Sequence, residues 1–326
     1  MCPMSASSGD MSIGEFLELW LAHMRERVRA TTYEGYECLL RCHVPSELRV
    51  LQLVELTPLG LQRMYADLLA GGEERRTLSA GSVLNLHLVL TQAFGQAVRW
   101  QLVPTSPAAG AQAPRPRRSQ PAAVSPELLN RLIAVATGTP LELPVAIAAA
   151  TGMRRGEILA LRWTDVASDL SFAHVRASLQ ATREGLAFDR PKTARSRRAI
   201  ALPTFLRPFL ERQRQAQVAQ KEGLGEAWQE TDLLVTRQDG SPVNPDSLSS
   251  AWRRLVRKHG LPPVRFHDLR HAHATLMLLQ GVHPKVVSER LGHASVGITL
   301  DTYSHVLPSM QSQAVEAFDR LFPRAA

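Results

Sequence analysis

The sequence predicts a mainly α-helical chain of two domains, with one small antiparallel β-sheet in the second. Three observations lead there. At 326 residues the chain is too long for one ordinary core and suits two domains of roughly 100 to 200 residues each. Apolar residues recur at helical spacing through the first hundred positions, whereas alternation with a period of two is confined to a short stretch between residues 172 and 202. Between these regimes, residues 104–124 are rich in proline, alanine and basic side chains and carry no hydrophobic period, as an extended linker does.

Within residues 10–103, Phe16, Leu17 and Trp20 mark one helical segment and Leu84, Leu88, Thr91 and Val98 the last. Thr57-Pro58 and Ser79 read as helix starts. Each offers a hydroxyl to the unpaired N–H groups of a first turn, and Pro58 falls where a missing N–H costs nothing. Four helices and no strands result, with Gly71–Thr77 as the loop tip. In the linker, Arg115, Arg117 and Arg118 leave two uses open, a solvated tether or contacts to a polyanion. Residues 125–326 open on another cap-plus-proline start, Ser125-Pro126, followed by helices near 127–137, 141–151 and from Arg155. Phe172, His174 and Arg176, then Phe188, then Ala199 to Leu202 supply three strands of one antiparallel sheet. Asn244-Pro245 begins a helix carrying Trp252, Arg253, Arg254, Arg257 and Lys258, a basic face suited to phosphates or an ordinary amphipathic surface.

A net charge of +8 and a pI near 10.0 favour a polyanionic partner. Residues 1–110 hold nine Lys+Arg against eleven Asp+Glu, and the remainder 29 against 19, so anion binding is concentrated in the second half. Arginine outnumbers lysine 34 to four, which singles out Lys192, Lys221, Lys258 and Lys285. Cys2, Cys38 and Cys42 draw neither a disulfide framework nor a metal knuckle. No apolar run approaches the roughly 20 residues of a membrane span, and the start lacks a basic n-region, so a cytoplasmic protein is expected.

Five short motifs carry the chemistry: Thr151-Gly152-Met153-Arg154-Arg155-Gly156-Glu157, Pro191-Lys192-Thr193, His267-Asp268-Leu269-Arg270-His271, Leu291-Gly292-His293 and Asp301-Thr302-Tyr303-Ser304-His305. Arginine donates two parallel hydrogen bonds to a phosphate and stays charged, so it meets charge growing on nonbridging oxygens. Lysine can release a proton when neighbouring cations lower its pKa from roughly 10.4, which arginine cannot practically do. Histidine can donate to a phosphate or take up a proton. Of the four tyrosines, Tyr33, Tyr36 and Tyr65 lie in the first domain, leaving Tyr303 as the plausible nucleophile.

In this order and at these separations the motifs resemble the catalytic signature of the tyrosine recombinase, or phage integrase, family, and the resemblance extends over most of the chain. It implies a two-domain, C-shaped clamp on duplex DNA, with a four-helix, SAM-like core-binding domain at 10–103 and the catalytic domain at 125–326. Arg154 and Arg270 would clamp the scissile phosphate, with Glu157 orienting Arg154 from three residues on. Lys192 would protonate the leaving 5′ oxygen; His267 and His293 would also hold the phosphate, His267 doubling as general base. Attack by Tyr303 would leave a 3′-phosphotyrosyl link that conserves the bond energy, so neither ATP, metal nor other cofactor is expected. Two strand exchanges through a Holliday junction would complete site-specific recombination by a homotetramer on two DNA sites, with or without accessory DNA-bending or directionality proteins. The runs Pro191 to Arg198, around Lys192, and Leu300 to Val306, around Tyr303, look more like those of phage and conjugative-element integrases than of resolvases of chromosome or plasmid dimers.

Other readings compete. His267 and His271 match the spacing of the zinc-protease helix motif, with His273 as a further ligand, but the shorter Asp268 replaces the glutamate and Arg270 shares the helical face. A DNA-binding regulator that never cuts would have no need of Tyr303. After Tyr303, Val315, Phe318, Leu321 and Phe322 form an amphipathic stretch that either folds back on its own domain or docks on a neighbouring subunit.

Overall fold

The computed structural model describes residues 11–71, 77–116, 124–189, 197–303, 315–316 and 318–320, with the backbone alone at Tyr303. The chain divides into two compact units, residues 1–119 and 120–326.

The first unit holds helices α1 (Ile13–Arg25), α2 (Ala30–His43), the single turn α3 (Ser46–Arg49), α4 (Pro58–Ala70) and α5 (Ala80–Arg99). The starts of α1, α4 and α5 follow from short polar side chains. Ser12 and Glu15 form a reciprocal capping box, and Thr57 and Ser79 each accept an N–H three residues on, at 3.1 Å. Trp20, Tyr65, Phe16 and Phe94 fill the core, Phe16 and Phe94 stacked with ring centroids 5.6 Å apart. The last helix forms where the spacing marks it, but the residues that mark it are not its inner face throughout. Leu88 is 57% exposed and Thr91 is exposed, while Val83, Leu86, Leu90, Ala93, Phe94 and Ala97 form the inner face of α5. Apolar residues cover most of this helix, so its periodicity fits two faces, and packing of Phe94 on α1 selects one.

The second unit is built around α7 (Glu142–Thr151), buried from Leu143 to Thr151. Three consecutive alanines let neighbours approach closely, and α6 (Pro126–Ala136), α8 (Arg155–Leu159), α9 (Arg207–Leu224) and α11 (Asp268–Leu279) all pack against it. Helices α10 (Pro245–Lys258), α12 (Pro284–Leu291) and α13 (Val296–Tyr303) complete the unit's long elements among the described residues. Asn244 caps α10 by accepting from the N–H of Asp246 at 2.8 Å. Trp252 anchors the helix, fully buried with its indole N–H on the carbonyl of Val264 at 2.8 Å.

The single three-stranded sheet expected from the sequence is instead two antiparallel ladders. Strand β1 (Phe172–Val175) pairs with β4 (Arg198–Ala201), and β2 (Ser178–Thr182) with β3 (Gly185–Asp189). Strand β2 escapes sequence reading because its alternation, Ser178-Leu179-Gln180-Ala181-Thr182, carries one strongly apolar residue, Leu179, which is also the one buried. Gly185, at φ 124°, closes the tight β2–β3 hairpin in a conformation open to glycine.

Candidate active site

The site is organised by the carboxyl end of α7. A helix leaves its last carbonyls without intrahelical donors, and its dipole makes that end attractive to cations. Here the carbonyls are taken by three side chains from α11 and α12. His273 pairs through Nδ1 with the carbonyl of Ala149 at 2.9 Å, Arg290 donates from Nη2 to Ala150 at 3.0 Å, and Arg270 donates from Nη1 to Gly152 at 2.7 Å. Arg290 also donates from Nε to His273 Nε2 at 3.1 Å, which assigns the proton of that ring to Nδ1. Both nitrogens of His273 are thereby engaged, a structural role in place of the metal ligation weighed above.

Gly152 makes this junction fit. It ends α7 in the left-handed region at φ 65°, and a Cβ there would lie 2.5 Å from Leu291 Cδ2 and 2.8 Å from His273 Cδ2. Leu291 is the last residue of α12, so the bare Cα lets α12 and α11 close on the end of α7. Helix α12 terminates likewise in Gly292, at φ 69°, whose carbonyl accepts from Arg154 Nη2 at 3.2 Å. Each candidate phosphate-binding arginine is thus held by the carbonyl of a left-handed glycine at a helix end.

Arg154 is the residue preceding α8 and has extended backbone. Glu157 reaches it by folding back over the helix start: Oε2 accepts the backbone N–H of Arg154 and Oε1 accepts Nη1, both at 2.9 Å. The same carboxylate accepts Arg198 Nη2 at 2.9 Å and Nη1 at 3.2 Å. Burial alone would raise the Glu157 pKa. The hydrogen bonds and charge of Arg198, then those of Arg154, outweigh burial and hold the carboxyl below its ordinary value.

His293 follows Gly292 and pairs through Nδ1 with the hydroxyl of Thr299 on α13 at 2.8 Å. Its pKa is pushed down to about 4, first by burial and then by the charges of Arg270, Arg154 and Arg198. It is therefore a neutral imidazole at physiological pH, placed among the three guanidiniums. His267, just ahead of α11, is exposed and stands edge-on to His271 with ring centroids 5.0 Å apart. Although one side meets solvent, partial desolvation and then the charges of His271 and Arg270 lower its pKa, so it too is a neutral imidazole at physiological pH. Asp268 is fixed by Arg265, whose N–H and guanidinium bind it at 2.7–3.1 Å.

Tyr303 ends α13, which packs on α12 beside His293. Lys192, Arg117 and Arg118 fall outside the described residues, as do Leu321 and Phe322, while Val315 and Phe318 are exposed. Arg115 is exposed in the first unit. The basic face of α10 is split: Arg254 and Lys258 line a groove with Arg212 and Arg237, whereas Arg253 and Arg257 do not border it. Arg155 braces α8 to α10 through Ser249 at 2.6 Å and Asp246 at 3.1 Å. Sequence reasoning missed Arg198 and Arg290. Arg198 sits in a basic run that reads as solvated, and its one distinguishing signal is its place at the start of an apolar strand.

Residues 123–310 match the model of the phage integrase family, and residues 12–69 that of the phage integrase N-terminal SAM-like domain. A tyrosine recombinase XerC-like protein of Caldanaerobacter subterraneus is 27% identical, covering 96% of this chain and 84% of the relative. The ICEBs1 integrase of Bacillus subtilis is 26% identical over the same shares. Among solved structures, the Tn1549 transposon integrase in complex with a circular intermediate DNA superposes with a TM-score of 0.79 at 18% identity, over 94% of this chain and 99% of that one. A lambda integrase tetramer bound to a Holliday junction gives 0.66 at 19% identity, over 89% and 79%. At these identities the structural likeness speaks for the fold.

Proposed function

The chain belongs to the phage integrase family, and from that membership we propose a site-specific DNA recombinase that cuts and rejoins duplex DNA through Tyr303. The observation that carries the reading is the convergence of Arg154, Arg270 and His293 on the facing ends of α7 and α12. Two fixed guanidiniums and a neutral imidazole suit a scissile phosphate whose nonbridging charge rises in the transition state.

In this scheme the Tyr303 oxygen attacks phosphorus and its proton passes to His267. The bond from phosphorus to the 5′ oxygen breaks, and Lys192 supplies the proton to that oxygen. A 3′-phosphotyrosyl link and a free 5′ hydroxyl remain. Attack by the 5′ hydroxyl of a partner strand runs the step backwards, and two such exchanges through a Holliday junction complete recombination. Arginine supplies the charge that a metal ion would otherwise provide, so the steps need no metal or ATP. Glu157 orients Arg154, and Arg115, Arg253, Arg254, Arg257 and Lys258 are candidate phosphate contacts on the flanking duplex.

The working assembly is a homotetramer on two DNA sites, each subunit using residues 10–103 as core-binding domain, 104–124 as linker and 125–326 as catalytic domain. A mobile-element role is favoured by relatives named as integrases of an integrative element and of mycobacteriophage D29. No described helix is long and apolar enough to cross a membrane; the proposed work on DNA would take place in the cytoplasm.

Covalent capture tests the proposal. The protein is incubated with DNA of its source organism in EDTA, stopped with SDS, and the adducts are sequenced, with Tyr303→Phe in parallel. Adducts at one defined sequence that vanish in the variant are expected. Persistence in Tyr303→Phe would overturn the nucleophile, and dependence on metal would overturn the mechanism.

A further inference from the structure

We propose that Arg198 is a positioning residue for strand cleavage, setting Arg154 through Glu157 and the His293 loop through the carbonyl of Arg290. The inference rests on reading Arg154 as a phosphate clamp. Arg198 does not itself meet DNA, because its side chain is only 7% exposed. Its guanidinium instead divides between two parts of the site. Nη1 and Nη2 bind both oxygens of Glu157, the carboxylate that also holds Arg154. Nε donates to the carbonyl of Arg290 at 2.7 Å, two residues before Gly292 and three before His293.

The third contact is steric. A Cβ on Gly292 would fall 2.8 Å from Arg198 Nη1 and 3.0 Å from its Cζ, so the guanidinium packs directly against that glycine, whose carbonyl receives Arg154. The Arg290 side chain is itself tied to His273 and Ala150, so the carbonyl that Arg198 grips is anchored to the end of α7. Strand β4 fixes the other end, since Arg198 pairs in register with Val175 of β1. One side chain therefore connects β4, the holder of Arg154 and the turn presenting His293. Lys192 precedes it by six residues in the sequence.

The shared carboxylate explains why the strut matters for rate. Glu157 has two oxygens and two cationic partners; with Arg198 present, Arg154 holds only part of the acceptor capacity and its remaining donors stay available for a phosphate. Without Arg198, Glu157 is free to take more of Arg154, drawing the guanidinium away from the scissile oxygens, while the Gly292 turn loses its packing surface. Loss of one preorganised donor costs about 10²- to 10³-fold in rate.

The test uses single-turnover adduct formation by the full chain on a duplex spanning the mapped cleavage site. One substrate carries the natural phosphate and the other a methylphosphonate at the scissile position, which removes a nonbridging charge and with it much of the need for a clamping arginine. Arg198→Gln is expected to slow adduct formation about 10²-fold on the phosphate, with DNA affinity unchanged and with a deficit that largely disappears on the methylphosphonate, as it does for Arg154→Ala. An equal deficit on both substrates, with the Arg154→Ala deficit relieved, would make Arg198 merely structural and overturn the inference. Failure of the methylphosphonate to relieve Arg154→Ala would overturn the clamp reading beneath it. Should Arg198→Gln not fold, Arg198→Lys takes its place under the same criterion, since lysine keeps the charge but cannot span Glu157 and the Arg290 carbonyl together.

Discussion

Replacing Gly152 with alanine tests the packing on which the site depends. An L-residue at φ 65° costs about 1–2 kcal/mol from backbone sterics alone. The new methyl would also lie 2.5 Å from Leu291 Cδ2 and 2.8 Å from His273 Cδ2, both in the buried contact between α7, α11 and α12. Leu291 is fully buried and His273 is hydrogen-bonded on both nitrogens, so neither can swing aside. Overpacking of this kind adds about 1–3 kcal/mol. The sum, about 2–5 kcal/mol, lowers Tm by about 5–15 °C for a domain of this size. Gly138 provides the control, since it has φ 73° and nothing within 4 Å of an added Cβ. Gly138→Ala therefore carries the backbone cost alone, about 1–2 kcal/mol. Because the Gly152 carbonyl holds Arg270, a shift of the helix end approaching 1 Å also slows adduct formation, by about 10²-fold. Thermal denaturation and single-turnover cleavage measure the two effects. Equal Tm losses in the two variants would refute the close packing, and a wild-type cleavage rate in Gly152→Ala would refute its link to Arg270.

Further outcomes follow from the same contacts. Glu157→Gln leaves Arg154 and buried Arg198 without their counter-charge, which costs about 3–5 kcal/mol, read as a lower urea midpoint; an unchanged midpoint would refute the shared pair. His273, held neutral with its pKa pushed down to about 4 first by burial and then by Arg290, refuses a proton that the unfolded chain accepts below about 6.5. Stability is therefore full above that pH and falls as pH drops toward 4, by on the order of 3 kcal/mol from this group. His273→Gln should flatten that part of the urea profile, and an identical profile in both proteins would sink the assignment. Asn244→Ala removes the α10 cap and costs about 1 kcal/mol, or about 2–4 °C in Tm; no shift would mean that the cap contributes nothing. DNA affinity should fall steeply with salt, log K losing roughly 0.9 per phosphate contact for each log unit, and a flat titration would contradict a phosphate-tracking surface.

By itself the sequence determined what is local. Thr57, Ser79, Ser125 and Asn244 mark helix starts because each bonds an N–H two to three residues away, and the order and spacing of the five motifs pointed to the family. Periodicity was incomplete where its signal was ambiguous or faint: it marked α5 without settling the inner face, and β2 has Leu179 as its one strongly apolar residue. Tertiary structure alone decided how the functional arginines are held. Arg270 reaches Gly152 across 118 residues, Arg154 reaches Gly292 across 138, and Arg290 reaches Ala150 across 140. Their acceptors are backbone carbonyls, which every residue possesses, so no residue type announces them. The end of α7 offers unpaired carbonyls and a negative dipole end to whatever donors the fold brings near. Arg198 escaped notice for the same reason. Its basic run reads as solvated until β4 pairs with β1 and carries one of its arginines inward, onto a carboxylate 41 positions away.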